Sequence, residues 1–217
     1  TTRPGDFEKF YPTSVMETGY DILKAWVSRM IMIGIYVTGN VPFRDVLVHG
    51  LVNDPYGKKM SKSKGNVINA IELVEEYGAD AMRFALIYGN ATGNDQALSY
   101  PKLDASRKFT NKIWNMGRFI EMNKIRMKDK GLMINELENK AKHENDKEMV
   151  KKIGELVKKI TDDLEEYNFN YAAEALYEFA WHEFADKYIE DVKNRIDENS
   201  YLILNHLYLI LLKLLHP

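Results

Sequence analysis

The sequence predicts an α/β half followed by an all-α half, with the change of texture near Tyr100. Two short β-prone runs flank an apolar helical stretch in the first hundred residues. After Pro101 no strand pattern recurs, and apolar residues return at helical spacing to the end of the chain. Strand, helix, strand in that order favours a parallel pair, because a parallel connection needs a crossover long enough to hold a helix.

Residues 12–16 read as the first strand. Thr18-Gly19-Tyr20-Asp21 is turn-like and leads into a helix, with Asp21 as its N-cap or first-turn acid. Over residues 22–37, Leu23, Trp26, Val27, Met30, Ile31 and Ile33 recur at helical spacing. Residues 46–48 form the second strand, ending at His49-Gly50. Asn53-Asp54-Pro55-Tyr56-Gly57 is turn chemistry, and residues 58–65 are a polar loop. Asn69 and Glu72 resemble a capping pair, so a helix is expected over residues 70–77 with Gly78 as its stop; another follows over 80–88.

In the second half, helices are expected over residues 103–123, 144–167, 171–196 and 201–215, with 124–143 as a polar link. Phe109, Ile113, Met116 and Ile120 fall on one helical face and read as a core stripe. Phe179, Trp181, Phe184 and Tyr188 also share helical spacing, and core packing is the reading for them rather than base stacking. The expected domains are 1–100 and 101–217.

Thirty basic and 32 acidic residues nearly cancel, so total charge announces no nucleic-acid partner and any basic surface must be local. The absence of cysteine excludes a disulfide framework and thiolate metal sites. His143, His182 and His206 have no partners at metal-ligand spacing, and no protein-bound metal is expected. The apolar run 201–215 is broken by Asn205, His206 and Lys213, too short and polar for a membrane span. No basic-then-apolar leader pattern opens the chain. A cytoplasmic protein without a membrane partner is expected. A loop-like opening, and a stop just after an apolar helix, are expected of a piece of a longer protein.

The most informative stretch is Gly57-Lys58-Lys59-Met60-Ser61-Lys62-Ser63-Lys64-Gly65-Asn66. Four lysines lie within seven positions, separated by small hydroxyl residues. Compact ammonium charges on flexible stems suit a polyphosphate better than a planar carboxylate. Ser61, Ser63 and backbone N–H groups near Gly65 can add donors. A Walker loop is excluded, since the position that needs its first glycine is Val52. Composition alone leaves a solvated basic loop open.

Lys59-Met60-Ser61-Lys62-Ser63 resembles, letter for letter, the KMSKS signature of class I aminoacyl-tRNA synthetases. The context resembles that family too: His49-Gly50-Leu51-Val52, Asp54 and Gly57 before the signature, Gly65-Asn66 after it. The resemblance implies the C-terminal half of a Rossmann-like catalytic domain, followed by a helical anticodon-binding domain that is incomplete here. It implies that Lys59 and Lys62 contact the phosphates of ATP, supplied with Mg2+, as an amino-acid carboxylate attacks the α-phosphate. His49, Gly50, Met60, Ser61 and Ser63 are implied as ATP-site residues. Lys58 and Lys64 fall outside the signature.

Residues 11–23 resemble the valine branch of the family most. The resemblance implies that Gly19 and Asp21 form the turn approaching the adenylate, and that Trp26 lines the amino-acid pocket. Lys24-Ala25 stand where that branch usually has bulkier apolar residues, a departure that bears on the pocket wall. Read on its own, Trp26 is a core aromatic. The implied activity is ATP-dependent formation of valyl-adenylate and transfer to tRNA(Val), by a whole protein acting as a monomer. The isoleucine branch is the alternative, and an RNA-binding module descended from a synthetase is a second.

Residues 106–119 resemble the first helix of the family's anticodon-binding domain, and 167–190 resemble a later part of it. Over residues 102–130, nine basic residues face three acids, a local excess that suits a phosphate backbone. Arg107, Lys108, Lys112 and Arg118 are the candidate tRNA contacts, against a reading of this face as merely solvated. The family also carries a His-x-Gly-His type signature, which none of the five histidines here matches. The chain is therefore expected not to activate valine by itself.

Overall fold

The computed structural model describes residues 5–124 and 133–217. Arg126, Lys128, Asp129 and Lys130, counted in the basic excess, lie outside the described residues. The chain divides into two units, one of residues up to 68 with 90–99, the other of 69–89 with 100–217.

In the first unit, α1 (Asp6–Phe10) precedes β1 (Thr13–Gly19), and β2 (Phe43–His49) pairs with β1 in parallel. The register runs from Thr13 opposite Phe43 to Gly19 opposite His49, so the two strands end side by side. Both strands are longer than their apolar runs, because pairing recruits the polar residues flanking each. The expected helix is not uniform. A tight turn over Tyr20–Ile22 opens into a wider helical turn over Leu23–Val27 before the α-helix α2 (Ser28–Thr38). Asp21 lies in the first of these turns and caps nothing with its side chain. A two-residue strand, β3 (Val52–Asn53), pairs in parallel with β4 (Gln96–Ala97). Val27, Phe43 and Leu98 are buried, as are Thr18 and Asp54, whereas α2 buries no residue.

In the second unit, α3 (Ala70–Tyr77) starts where expected, with Asn69 Oδ1 accepting from Ile71 N at 3.0 Å. The next helices are α4 (Ala79–Ile87), α5 (Tyr100–Met122), α6 (Ile134–Lys140) and α7 (Glu144–Glu165). Then α8 (Phe169–Glu178) runs into a wider helical stretch, Phe179–Ile189, and on into α9 (Glu190–Lys193), before α10 (Glu198–Leu215). The packing cut differs from a single boundary near Tyr100. Residues 69–89 group with the helices because Phe84 of α4 packs on Phe109 at 4.7 Å and Tyr88 on Tyr177 at 5.0 Å.

The core of this unit follows apolar spacing. Phe109, Met116 and Ile120 of α5 are buried and Ile113 packs against them. They meet Met149, Val150, Ile153, Leu156 and Ile160 of α7 and Ile203, Leu204, Leu207 and Leu211 of α10. Phe179, Phe184 and Tyr188 are buried in the same core, with Trp181 partly buried against it, as their spacing predicts. One buried charge interrupts it: Asp146 accepts from Tyr188 Oη at 2.9 Å and from Arg195 Nη2 at 2.7 Å.

Candidate functional site

The site is built at the carboxyl ends of β1 and β2, where parallel strands of open α/β sheets present ligands. Gly19 and His49 stand opposite one another there. His49 Nε2 lies 3.0 Å from Glu17 Oε1, and its Nδ1 lies 2.7 Å from the Gly50 carbonyl. Gly50 is required by close approach: a Cβ on it would lie 1.9 Å from the Asn94 carbonyl oxygen. That approach brings Asp95 onto the strand end. Its carboxylate accepts from Leu51 N at 2.7 Å and from Tyr20 Oη at 3.3 Å. Partial desolvation and this carboxylate raise the Tyr20 phenol above its ordinary value.

The lysine loop leaves this frame through the turn at Asp54. Asp54 N donates to Lys58 O and Gly57 N to Asp54 O, each at 2.9 Å. Beyond the turn, Lys59 bridges back to Asn53. Its ammonium donates to Asp21 Oδ2 at 3.1 Å, so the loop and the turn after β1 meet within the first unit. Ser61 and Ser63 hydroxyls lie 3.2 Å apart, and residues 62–64 form one tight helical turn closed by Gly65 at φ 66°. The Lys62 and Lys64 side chains are carried on that exposed turn. Met60 points the other way, its sulfur accepting from Ile68 N at 3.4 Å.

Of the residues expected at the site, Gly19, Asp21, His49, Gly50 and Lys59 are brought together. Trp26, 54% exposed, sits in the wider turn next to buried Val27. Sequence reading missed Asp95, which joins the turn and the strand end from 44 residues away. It also read Asp54 as a turn former and as part of the signature's context, without its bond to the far side of the loop at Asn66, 2.9 Å away. No local pattern could have shown either.

On α5 the candidate RNA cations differ from one another. Arg107 is paired with Asp104 at 2.6 Å and lies over the Tyr77 ring at 5.2 Å. Lys108 lies 3.9 Å from the same carboxylate. Lys112 donates to Asp186 at 2.5 Å and lies 4.6 Å over the Trp181 ring. That pairing holds the Asp186 carboxyl below its ordinary value. Among the described residues no acid pairs with Arg118.

Comparison with known proteins places these parts. Residues 1–99 match the model of the tRNA synthetases class I (I, L, M and V) family. Residues 146–217 match that of the anticodon-binding domain of tRNA ligase. The chain is 43% identical over 222 residues to a valine–tRNA ligase of Clostridium perfringens, covering 99% of this chain and 25% of the relative. It is 43% identical to that of Fervidobacterium nodosum and 41% to that of Streptococcus thermophilus, covering 98% of this chain each time and 24% and 25% of those relatives. The chain thus spans about a quarter of the length of the curated relatives it matches. Among solved structures it resembles the Agrobacterium radiobacter LeuRS–tRNA–LeuAMS ternary complex, with TM-score 0.81 and 22% identity over 96% of this chain and 26% of that one. It also resembles Mycobacterium tuberculosis methionyl-tRNA synthetase in complex with methionyl-adenylate, with TM-score 0.65 and 18% identity over 97% of this chain and 42% of that one. These two likenesses concern the fold. With a signature loop set at the ends of two parallel strands, and with family models matching on both sides of its middle, the chain belongs in residues 1–99 to the tRNA synthetases class I (I, L, M and V) family and in residues 146–217 to the anticodon-binding domain of tRNA ligase.

Proposed function

We propose that this chain is the part of a valine–tRNA ligase that carries its ATP-closing lysine loop and the start of its tRNA-facing helices. The whole protein converts valine and ATP to valyl-adenylate and pyrophosphate, and then transfers the valyl group to tRNA(Val). The observation that carries this reading is the reach of Lys59 from the loop to Asp21, at the carboxyl end of β1.

The chemistry follows from charge. A valine carboxylate oxygen attacks the α-phosphorus, the bond to the bridging oxygen breaks, and pyrophosphate leaves with the electron pair. Negative charge grows on the phosphate oxygens as this happens. Lys59 and Lys62 meet that charge with ammonium groups carried on the loop that closes over ATP, which is electrostatic stabilisation without a covalent role. The pair between Lys59 and Asp21 is solvent-exposed, and such pairs contribute only about 0–1 kcal/mol. A polyphosphate therefore competes readily for the same ammonium. Mg2+ would accompany ATP as the counter-ion of its phosphates. Gly19 and Asp21 face the adenylate, His49 and Gly50 border the adenosine, and Trp26 forms one wall of the valine pocket. On the helical side, Arg118, the described candidate of α5 without an acid partner, meets a tRNA phosphate.

The test is amino-acid-dependent ATP–pyrophosphate exchange by the whole protein with valine, isoleucine and threonine in turn. Valine should give the highest kcat/KM, and Trp26→Ala should raise KM for valine. Exchange that prefers isoleucine would move the chain to that branch. RNA binding without any amino-acid-dependent exchange would favour a synthetase-derived RNA-binding module instead.

A further inference from the structure

We infer that Asp54 and Asn66 are positioning residues that clamp the two ends of the lysine loop, so that Lys59 and Lys62 are presented from a fixed base. This inference rests on the reading of the loop as the ATP-closing element.

The geometry is a closed circuit of hydrogen bonds. Asp54, only 5% exposed, accepts through Oδ1 from Tyr56 N at 3.0 Å and Lys58 N at 2.8 Å. Its Oδ2 accepts from Asn66 Nδ2 at 2.9 Å, across twelve residues of chain. Asn66 Oδ1 accepts in turn from Ser61 N at 3.0 Å, and Nδ2 also reaches Lys59 O at 3.3 Å. Ser61 lies between Lys59 and Lys62, so one amide side chain holds the backbone beside both.

The direction of each bond is set by one property. The Asp54 carboxyl lies below its ordinary range, first through the Asn66 bond and then through the Lys58 backbone donor. An ionised carboxylate only accepts. Facing it, Asn66 must turn its NH2 toward Asp54, which leaves its carbonyl for Ser61 N–H. Nearly buried carboxylates are tolerated when several donors meet them, and here the donors are two backbone N–H groups and one amide. No lysine ammonium is used up in holding the clamp, so the ammonium groups stay available to phosphate.

The circuit can be reversed chemically, which gives the test. Asp54→Asn sets an NH2 against the NH2 of Asn66 and breaks the link. Adding Asn66→Asp restores it with donor and acceptor exchanged, and the new carboxylate still accepts from Ser61 N. In the whole protein, ATP–pyrophosphate exchange is measured for Asp54→Asn, Asn66→Asp, Asn66→Ala, the double exchange variant and Lys59→Ala, alongside thermal melting. Each single clamp variant should cut kcat about 10- to 100-fold, the scale of a small misplacement of reacting groups, with KM for valine unchanged. The double variant should recover most of that loss. Singles that exchange at the wild-type rate, or a double no better than the product of its singles, overturn the clamp while a defective Lys59→Ala leaves the loop reading standing. A fully active Lys59→Ala overturns both. Should Asp54→Asn fail to fold, the partly exposed Asn66→Ala decides alone: a kcat loss in folded protein supports the clamp, and wild-type kcat overturns it.

Discussion

Each unit buries a carboxylate, and the two treat it in opposite ways. In the first unit, Asp54 is met by neutral donors, two backbone N–H groups and the Asn66 amide. In the helical unit, fully buried Asp146 is met by a guanidinium, with Arg195 Nη2 at 2.7 Å and Nη1 at 3.3 Å, and by the Tyr188 hydroxyl. Arg195 also donates to Ser200 at 2.8 Å, so the circuit ties the start of α7 to the stretch before α9 and to the start of α10. Burial and the Asp146 charge push the Tyr188 phenol far up, which keeps it a donor at neutral pH. A charge pair spends a cation on architecture. A carboxylate held by neutral groups organises a loop without a hydrogen bond from any of the loop's ammonium groups. The comparison predicts that Asp146 matters to stability and Asp54 to rate.

The largest effect should come from breaking the Asp146 circuit. Removing one partner strands a buried charge, so Arg195→Met should lower the unfolding free energy of the helical unit by about 3–5 kcal/mol in a urea titration. Adding Asp146→Leu should recover most of that loss; if it does not, the circuit does more than balance its own charge. A core truncation that leaves no stranded charge, Leu207→Ala, should cost about 2–5 kcal/mol by the same measurement. Neither change should alter ATP–pyrophosphate exchange by the whole protein while it remains folded.

A smaller effect lies in pH. Lys152 and then Lys187 hold the Glu183 carboxyl at about 2, against an ordinary 4.5. A folded-state pKa below the unfolded one stabilises above the unfolded value, and that stability is lost as pH falls from 4.5 toward 2. Because the group is partly solvated, the contribution should be no more than about 1 kcal/mol. Melting temperature followed over that window should fall less steeply for Glu183→Gln than for the unaltered protein.

The smallest effect separates the cations of α5. Arg118→Gln should reduce the slope of log binding constant against log salt for tRNA by about 1. Lys112→Met should leave that slope unchanged, because Lys112 already serves Asp186 and Trp181. Equal effects of the two would mean that the internal pairs on α5 do not decide which cations face RNA.

The parts of this architecture carried by contiguous residues were legible in the sequence. The lysine loop is one run of letters, and the stripe from Phe109 to Ile120 is one helical face. Strand order alone implied the parallel pair. Periodicity could not resolve the turns over residues 20–27, because the tight turn buries no residue and the wide one buries only Val27, too little to carry a period. α6 escaped notice because it has one fully buried apolar anchor, Leu137, in a polar link, and its start is fixed by Glu136 accepting from Met133 N at 2.8 Å. The basic excess around α5 looked like a free phosphate-binding face because Asp186, the partner of Lys112, lies 74 residues away. The Asp54 clamp was hidden for the same reason, since pairing across a loop leaves no mark on local composition.

The central claim is most directly tested by the rate of valine-dependent ATP–pyrophosphate exchange in the whole protein with Lys59 and Lys62 both changed to alanine. Loss of charge stabilisation at the splitting triphosphate should slow exchange at least about 100-fold, with the melting temperature and tRNA affinity unchanged. Exchange at the unaltered rate by that double variant would contradict the account.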